Sequence, residues 1–163
     1  MRRAFFSAVD TIGSDNDRKA VLTSVLRTSS RPAPLVIGVA QSAKKMGADG
    51  DKAAVLSRAA EFDINDGAAR DAFFAAVNSI ASDGDRAAVL SNVLRKSRLT
   101  PDTVVAAIDS ATAISSDGNK ASVLVLAAEQ YGSDPTVRVA LQKALKSVHS
   151  DGDHRRVSAV LLK

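Results

Sequence analysis

The chain has 163 residues, 45% of them hydrophobic and 25% charged, which is long and apolar enough for a packed core and rules out a disordered chain. It has no cysteine, so disulfides and thiolate metal sites are excluded, and the compartment is left open between a reducing cytoplasm and a periplasm. The net charge of +4 sits entirely in residues 138–163, with six cations against two acids; the rest holds 16 of each sign, which excludes a chain basic throughout.

The first residues, Met1-Arg2-Arg3-Ala4-Phe5-Phe6, have two cations but no long apolar run behind them, so no signal peptide is expected. No segment approaches 18 consecutive apolar residues, so no membrane span is expected either. A helix over about residues 3–12 leads into the first of five related segments. They start at Ile12 (IGSDNDRKAVL), Met46 (MGADGDKAAVL), Ile80 (IASDGDRAAVL), Ile114 (ISSDGNKASVL) and Val148 (VHSDGDHRRVS), each 34 residues after the last. A constant period of this length is the mark of stacked supersecondary units.

Each unit reads as two helices. The first follows the Ser-Asp-Gly-Asp motif and carries apolar residues at helical spacing, as in Val89, Leu90, Val93 and Leu94. A short polar break follows, at 28–31, 63–66, 97–100 and 132–134, three times with proline behind it at Pro32, Pro101 and Pro135. Thr100-Pro101 and Asp134-Pro135 have the form of an N-cap and a first helical residue. The second helix then runs to the next motif. The count is about ten helices, with a half-repeat at 1–12, repeats at 13–46, 47–80, 81–114 and 115–148, and a half-repeat at 149–163, all in one domain.

The motif has a local explanation. Ser82 and Asp85 have capping-box spacing, in which each side chain satisfies the other's backbone N–H; Ser14/Asp17 and Ser150/Asp153 repeat it. Ala48 before Asp51 lacks the hydroxyl, and Asn119 after Ser116 lacks the acid. The intervening Asp15, Asp49, Asp83, Asp117 and Asp151 fall in the first turn, where the helix dipole favours negative charge. Gly50, Gly84, Gly118 and Gly152 are expected at a sharp bend between helices. Three further rows bear on stacking. Apolar rows such as Val21/Val55/Val89/Val123/Val157 and Val9/Ala43/Val77/Ala111/Leu145 are expected to form the core. Arg27, Glu61, Arg95, Glu129 and Lys163 alternate in sign, as a ladder of ion pairs between neighbouring units would.

These features describe an all-α fold, an α-solenoid in which antiparallel helix pairs stack into a superhelix. The period resembles that of tetratricopeptide repeats, whose Trp and Leu-Gly-Tyr signature is missing. The acidic turn, cation and small apolar helix of Asp83-Gly84-Asp85-Arg86-Ala87-Ala88-Val89-Leu90 are closer to HEAT-like solenoids. The string I-x-S-D-x-D-K-x-x-V-L also resembles short helical repeats appended to bacterial membrane-associated proteins, including relatives of the beta-lactam-sensing peptidases. This chain has glycine where those repeats carry a bulkier residue. The recurring Asp-Gly-Asp, kept in three of the five segments, is also what a consensus-derived or designed repeat would show.

Chemistry is sparse. Asp-Gly-Asp invites a calcium site, but such a loop needs about five protein oxygens and a distal glutamate, and none follows here. His149 and His154 flank Asp151 and Asp153, yet His154 occupies the slot of Arg18, Lys52, Arg86 and Lys120 and reads as a basic surface residue. No nucleophile–base pairing and no phosphate loop occurs, so neither catalysis nor a cofactor is expected. The reading favoured by residues is a scaffold for a protein or peptide. Its candidate surface is the set that varies between units on the second helices: Gln41, Lys44, Lys45, Asn78, Asp109, Thr112, Lys143 and Lys146. The alternative is a HEAT-like solenoid that binds nucleic acid through a basic C-terminal patch at Arg155 and Arg156. The row Arg18, Lys52, Arg86, Lys120, His154 would be its phosphate track, although an acid or amide precedes every cation. Phe5-Phe6 and Val160-Leu161-Leu162 make both terminal helices apolar, which is expected either of end-to-end self-association or of an array cut from a longer chain.

Overall fold

A computed structural model describes residues 2–28 and 33–162. Ten helices follow one another: α1 (Arg2–Val9), α2 (Asp15–Thr28), α3 (Ala33–Lys44), α4 (Asp49–Ala59), α5 (Gly67–Val77), α6 (Asp83–Leu94), α7 (Pro101–Thr112), α8 (Asp117–Tyr131), α9 (Pro135–Leu145) and α10 (Asp151–Leu161). Each helix packs on the next as an antiparallel pair. The even-numbered helices also pack on one another in a row, as do the odd-numbered helices, so the architecture is a two-layered helical-repeat solenoid.

The helices begin where side chains can supply the missing acceptors for their first N–H groups. Asp66, Thr100 and Asp134 cap α5, α7 and α9, and proline occupies the first turn of the last two. Ser14, Ser82, Ser116 and Ser150 accept from the N–H three residues on, at 3.3–3.4 Å. Ala48 has no side-chain cap to give. The first break, residues 29–31, and Pro32 lie outside the described residues, as does Lys163.

The core runs the length of the stack between the two layers. Val55, Val89, Val123 and Val157 are fully buried, and Val21 at the head of the row is half-buried. Val9, Ala43, Val77 and Ala111 form the matching odd row, which ends on half-buried Leu145. Most side chains in both rows are small, so the helices approach closely. The closest approach is at Gly38, where an added Cβ would overlap the Phe6 ring; the missing side chain lets α1 lay that ring on α3.

Three expectations are corrected. The capping boxes are half-built: the serine receives its bond, but the aspartate three residues on does not return one. Aspartate is a methylene shorter than the glutamate or glutamine that closes a box, and the N–H of Ser82, Ser116 and Ser150 goes to another acceptor, described below. The glycines of the motif are not at a bend. Gly50, Gly84, Gly118 and Gly152 lie in the first turn of a helix, and no described glycine has a positive φ. The charge ladder is absent among the described residues. Arg27, Arg95 and Glu129 are exposed with no ion pair to a neighbouring unit, and Glu61 is bound by Arg58 of its own unit at 2.7 Å. Long exposed side chains gain too little from such pairing to be held across a unit.

Nothing lies within 4 Å of a Cβ added at Gly84, so Gly84→Ala meets no obstacle and removes freedom from the unfolded chain. The variant is expected to be more stable by about 0.4–1 kcal/mol, measured as a raised urea midpoint with an unchanged slope.

Candidate interaction surfaces

The motif is spent on joining the units. Asp15 Oδ2 accepts from the N–H groups of Gly47 and Ala48 at 2.8 and 2.7 Å. Asp49 does the same for Ala81 and Ser82 at 3.0 and 2.8 Å. Asp83 takes Ser115 and Ser116 at 3.0 and 2.8 Å, and Asp117 takes His149 and Ser150 at 2.9 and 2.7 Å. The donors are always the two residues that lead into the next even-numbered helix. Each carboxylate stands at the first position of its own helix, aimed forward along the stack.

The cation three residues later completes a clamp. Lys52 Nζ donates to Ser79 O at 2.9 Å and lies 3.4 Å from Asp49. Lys120 Nζ donates to Ser147 O at 2.6 Å and lies 3.4 Å from Asp117. Arg86 donates to Ala113 O at 3.0 Å in its own unit, and also to Asn78 O and Ile80 O at the end of the preceding one. Arg18 donates to Asp10 O and Ile12 O. Lys52, Arg86 and Lys120 thus hold the carbonyl at the end of the next odd helix, while the aspartate holds the N–H groups just beyond it. One turn is gripped through both polarities.

This arrangement corrects the phosphate-track expectation. Arg18, Lys52, Arg86 and Lys120 are only 4–8% exposed, and their charges end on carbonyl oxygens. They sit one helical turn before Leu22, Leu56, Leu90 and Leu124, on the face that each helix buries. His154, last in the row, is exposed.

The backbone donors lower the carboxylate pKa values. For Asp15 the Ala48 N–H is the strongest influence, ahead of the opposing effect of burial and the help of the Gly47 N–H. The N–H of Ser82 dominates at Asp49, that of Ser115 at Asp83 and that of Ser150 at Asp117. At Asp10, burial is the largest influence and pushes upward; hydrogen bonds from Lys45 and Ser42 outweigh it and bring the value below normal.

The candidate partner-binding residues separate into three groups. Asp109, Thr112, Lys143 and Lys146 come together with Ala144 and Ser147 around a groove of about 330 Å³ between α7 and α9. Lys45 and Asn78 serve joints: Lys45 pairs with Asp10, which also accepts from Ser42, and Asn78 accepts from Ser110 at 2.5 Å. Gln41 and Lys44 are exposed on α3. Arg155 and Arg156 are exposed on α10; Arg156 leans on Asp153 and donates to Ser122 at 2.8 Å.

A larger open cleft of about 760 Å³ lies on the opposite edge, between the α4–α5 and α6–α7 turns, with Glu61, Asp63, Arg95 and Arg98 in its walls. Sequence reasoning missed it, because both turns read only as polar breaks. Asn65 links the two turns, donating to Arg98 O and accepting from Thr100 N–H, both at 2.9 Å.

Among the described residues no group of three or more His, Cys, Asp or Glu is placed to hold a metal ion, and no helix is long and apolar enough to cross a membrane. The chain matches no protein-family model, no curated protein and no solved structure.

Arg86→Met keeps the apolar stem and strands the carbonyls of Ile80 and Ala113. It is expected to cost about 2–4 kcal/mol in urea unfolding, whereas His154→Ala is expected to cost nearly nothing. The clamps also set an acid limit. Each aspartate has a native pKa below its ordinary 3.8, so its contribution is fully present above that pH and is lost as pH falls through the lower native values. The urea midpoint should be level through neutral pH and fall below 3.8, and Asp49→Asn should flatten that fall.

Proposed function

We propose that residues 1–163 act as one solenoid domain and a non-catalytic scaffold, binding a peptide segment with acidic side chains along the outer face of the odd-numbered helices. The observation that carries this reading is the groove between α7 and α9. The first aspartate and the cation of the motif are taken up in joints in the middle units, but the side-chain charges of Asp109, Lys143 and Lys146 have no ion-pair or hydrogen-bond partner among the described residues. The backbone beneath them is common to all units, while these positions change: Gln41, Ala75, Asp109 and Lys143 share one column, and Lys44, Asn78, Thr112 and Lys146 another. A constant frame under changing side chains is how solenoids acquire specificity. Two lysines on successive turns suit a pair of carboxylates, and Asp109 suits a cation beside them. The forward-facing aspartate and buried cation support a HEAT-like grouping more than a tetratricopeptide one.

The nucleic-acid alternative loses its phosphate track with the burial of Arg18, Lys52, Arg86 and Lys120. It rests on the basic C-terminal patch at Arg155 and Arg156, both exposed, and a small patch gives few phosphate contacts.

A fluorescent glutamate-rich peptide should bind at low salt, and Lys143→Glu combined with Lys146→Glu should weaken it by about tenfold or more with unchanged helicity by circular dichroism. Equal affinity in the double variant, or a footprint by NMR away from α7 and α9, overturns the reading.

A further inference from the structure

The two end faces of the stack are complementary in detail. Asp151 holds the position of Asp15, Asp49, Asp83 and Asp117, and its carboxylate has no partner among the described residues. At the other end, Gly13 and Ser14 hold the positions of the N–H pairs that those aspartates bind, and no acceptor reaches them among the described residues. The apolar rows behave alike. At the position of Leu162, the earlier units have Leu26, Ala60, Leu94 and Ala128, all buried at 8% exposure or less; Leu162 is 86% exposed. Val21, Val25 and Ile12 are half-buried, whereas every described equivalent of theirs is buried. A shallow depression of about 290 Å³, lined by Phe5, Val21, Ser24, Val25 and Thr28, opens on that face.

Charge extends the match. Lys19 on α2 reaches forward to Asp51 on α4 at 2.6 Å, a spacing of 32 residues. The middle units have alanine at that position, in Ala53, Ala87 and Ala121, but the last unit has Arg155. In a second copy added in register, the residue facing Arg155 is Asp17, which is exposed. Ten helices make a whole number of pairs, so the odd-numbered α1 of a second copy arrives where an odd-numbered helix is due.

We infer that two copies of this chain join head to tail, the α9–α10 end of one on the α1–α2 end of the next, with Asp151 on the Gly13 and Ser14 N–H groups, Arg155 on Asp17, and Leu162 covered. The contact is heterologous, so it repeats and yields rods rather than a closed pair. It stands apart from the peptide groove: either can fail without the other.

Sedimentation equilibrium of the 163-residue chain from micromolar to millimolar concentration tests it. The mass should rise beyond the 17.0 kDa of one chain, and X-ray scattering should show lengthening at constant cross-section. Leu162→Asp, on an exposed side chain, should leave helicity intact and hold the chain monomeric. Arg155→Asp and Asp17→Arg should each weaken the contact by about tenfold, and the double variant should regain affinity. A single 17.0 kDa species throughout, growth that stops at a dimer, or assembly indifferent to Leu162→Asp overturns the inference.

Discussion

An aspartate at the first position of a helix holds the two backbone N–H groups that open the corresponding helix of the next unit, and the rest of the stack depends on that bond. A turn between helices carries N–H and C=O groups that no helix satisfies. In most folds water or local side chains take them. Here the preceding even-numbered helix takes them with one acid and one base, four and three times over. The carboxylate bonds are charge-assisted, so each is stronger than a neutral one. The apolar rows supply attraction between layers but tolerate sliding; the directional bonds set how far each unit is displaced from the last.

Burying a lysine or arginine is costly unless its charge is met. In this chain the cost is offset by carbonyl oxygens at a helix C-terminus, where the backbone already presents partial negative charge. Lys52 and Lys120 meet one such carbonyl each and their own aspartate, while Arg86 spreads over carbonyls of two units. Lysine and arginine alternate along the row, and each achieves the same closure with its own geometry.

Much of this architecture was legible in the sequence. The period, the ten helices and the apolar rows follow from the spacing of Ile12, Met46, Ile80, Ile114 and Val148 and from proline after the breaks. The destination of the motif's polar groups was not. In a strict repeat every unit offers the same residue types, so a bond from Asp49 to its own helix and a bond to Ser82 leave the same pattern of letters. The burial of Lys52 was within reach, since it stands four residues before Leu56 on one helical face; its charge argued louder than its position. The groove at Asp109 and Lys143 showed only as variation, because a depression between two helices depends on side-chain heights that spacing does not encode.

The bonds that join separate turns and helices along the stack span between 23 and 35 residues, and among the described residues none reaches past the adjacent unit. A deletion or duplication of one whole period therefore presents every remaining aspartate with an unchanged docking partner. Loss of a single residue inside a unit does the opposite, shifting an acid away from its amides and a cation away from its carbonyl together. Such a chain is free to evolve in length by whole steps and is almost forbidden to do so by fractions. Its size is an inheritable variable in a way that the size of a closed globule is not.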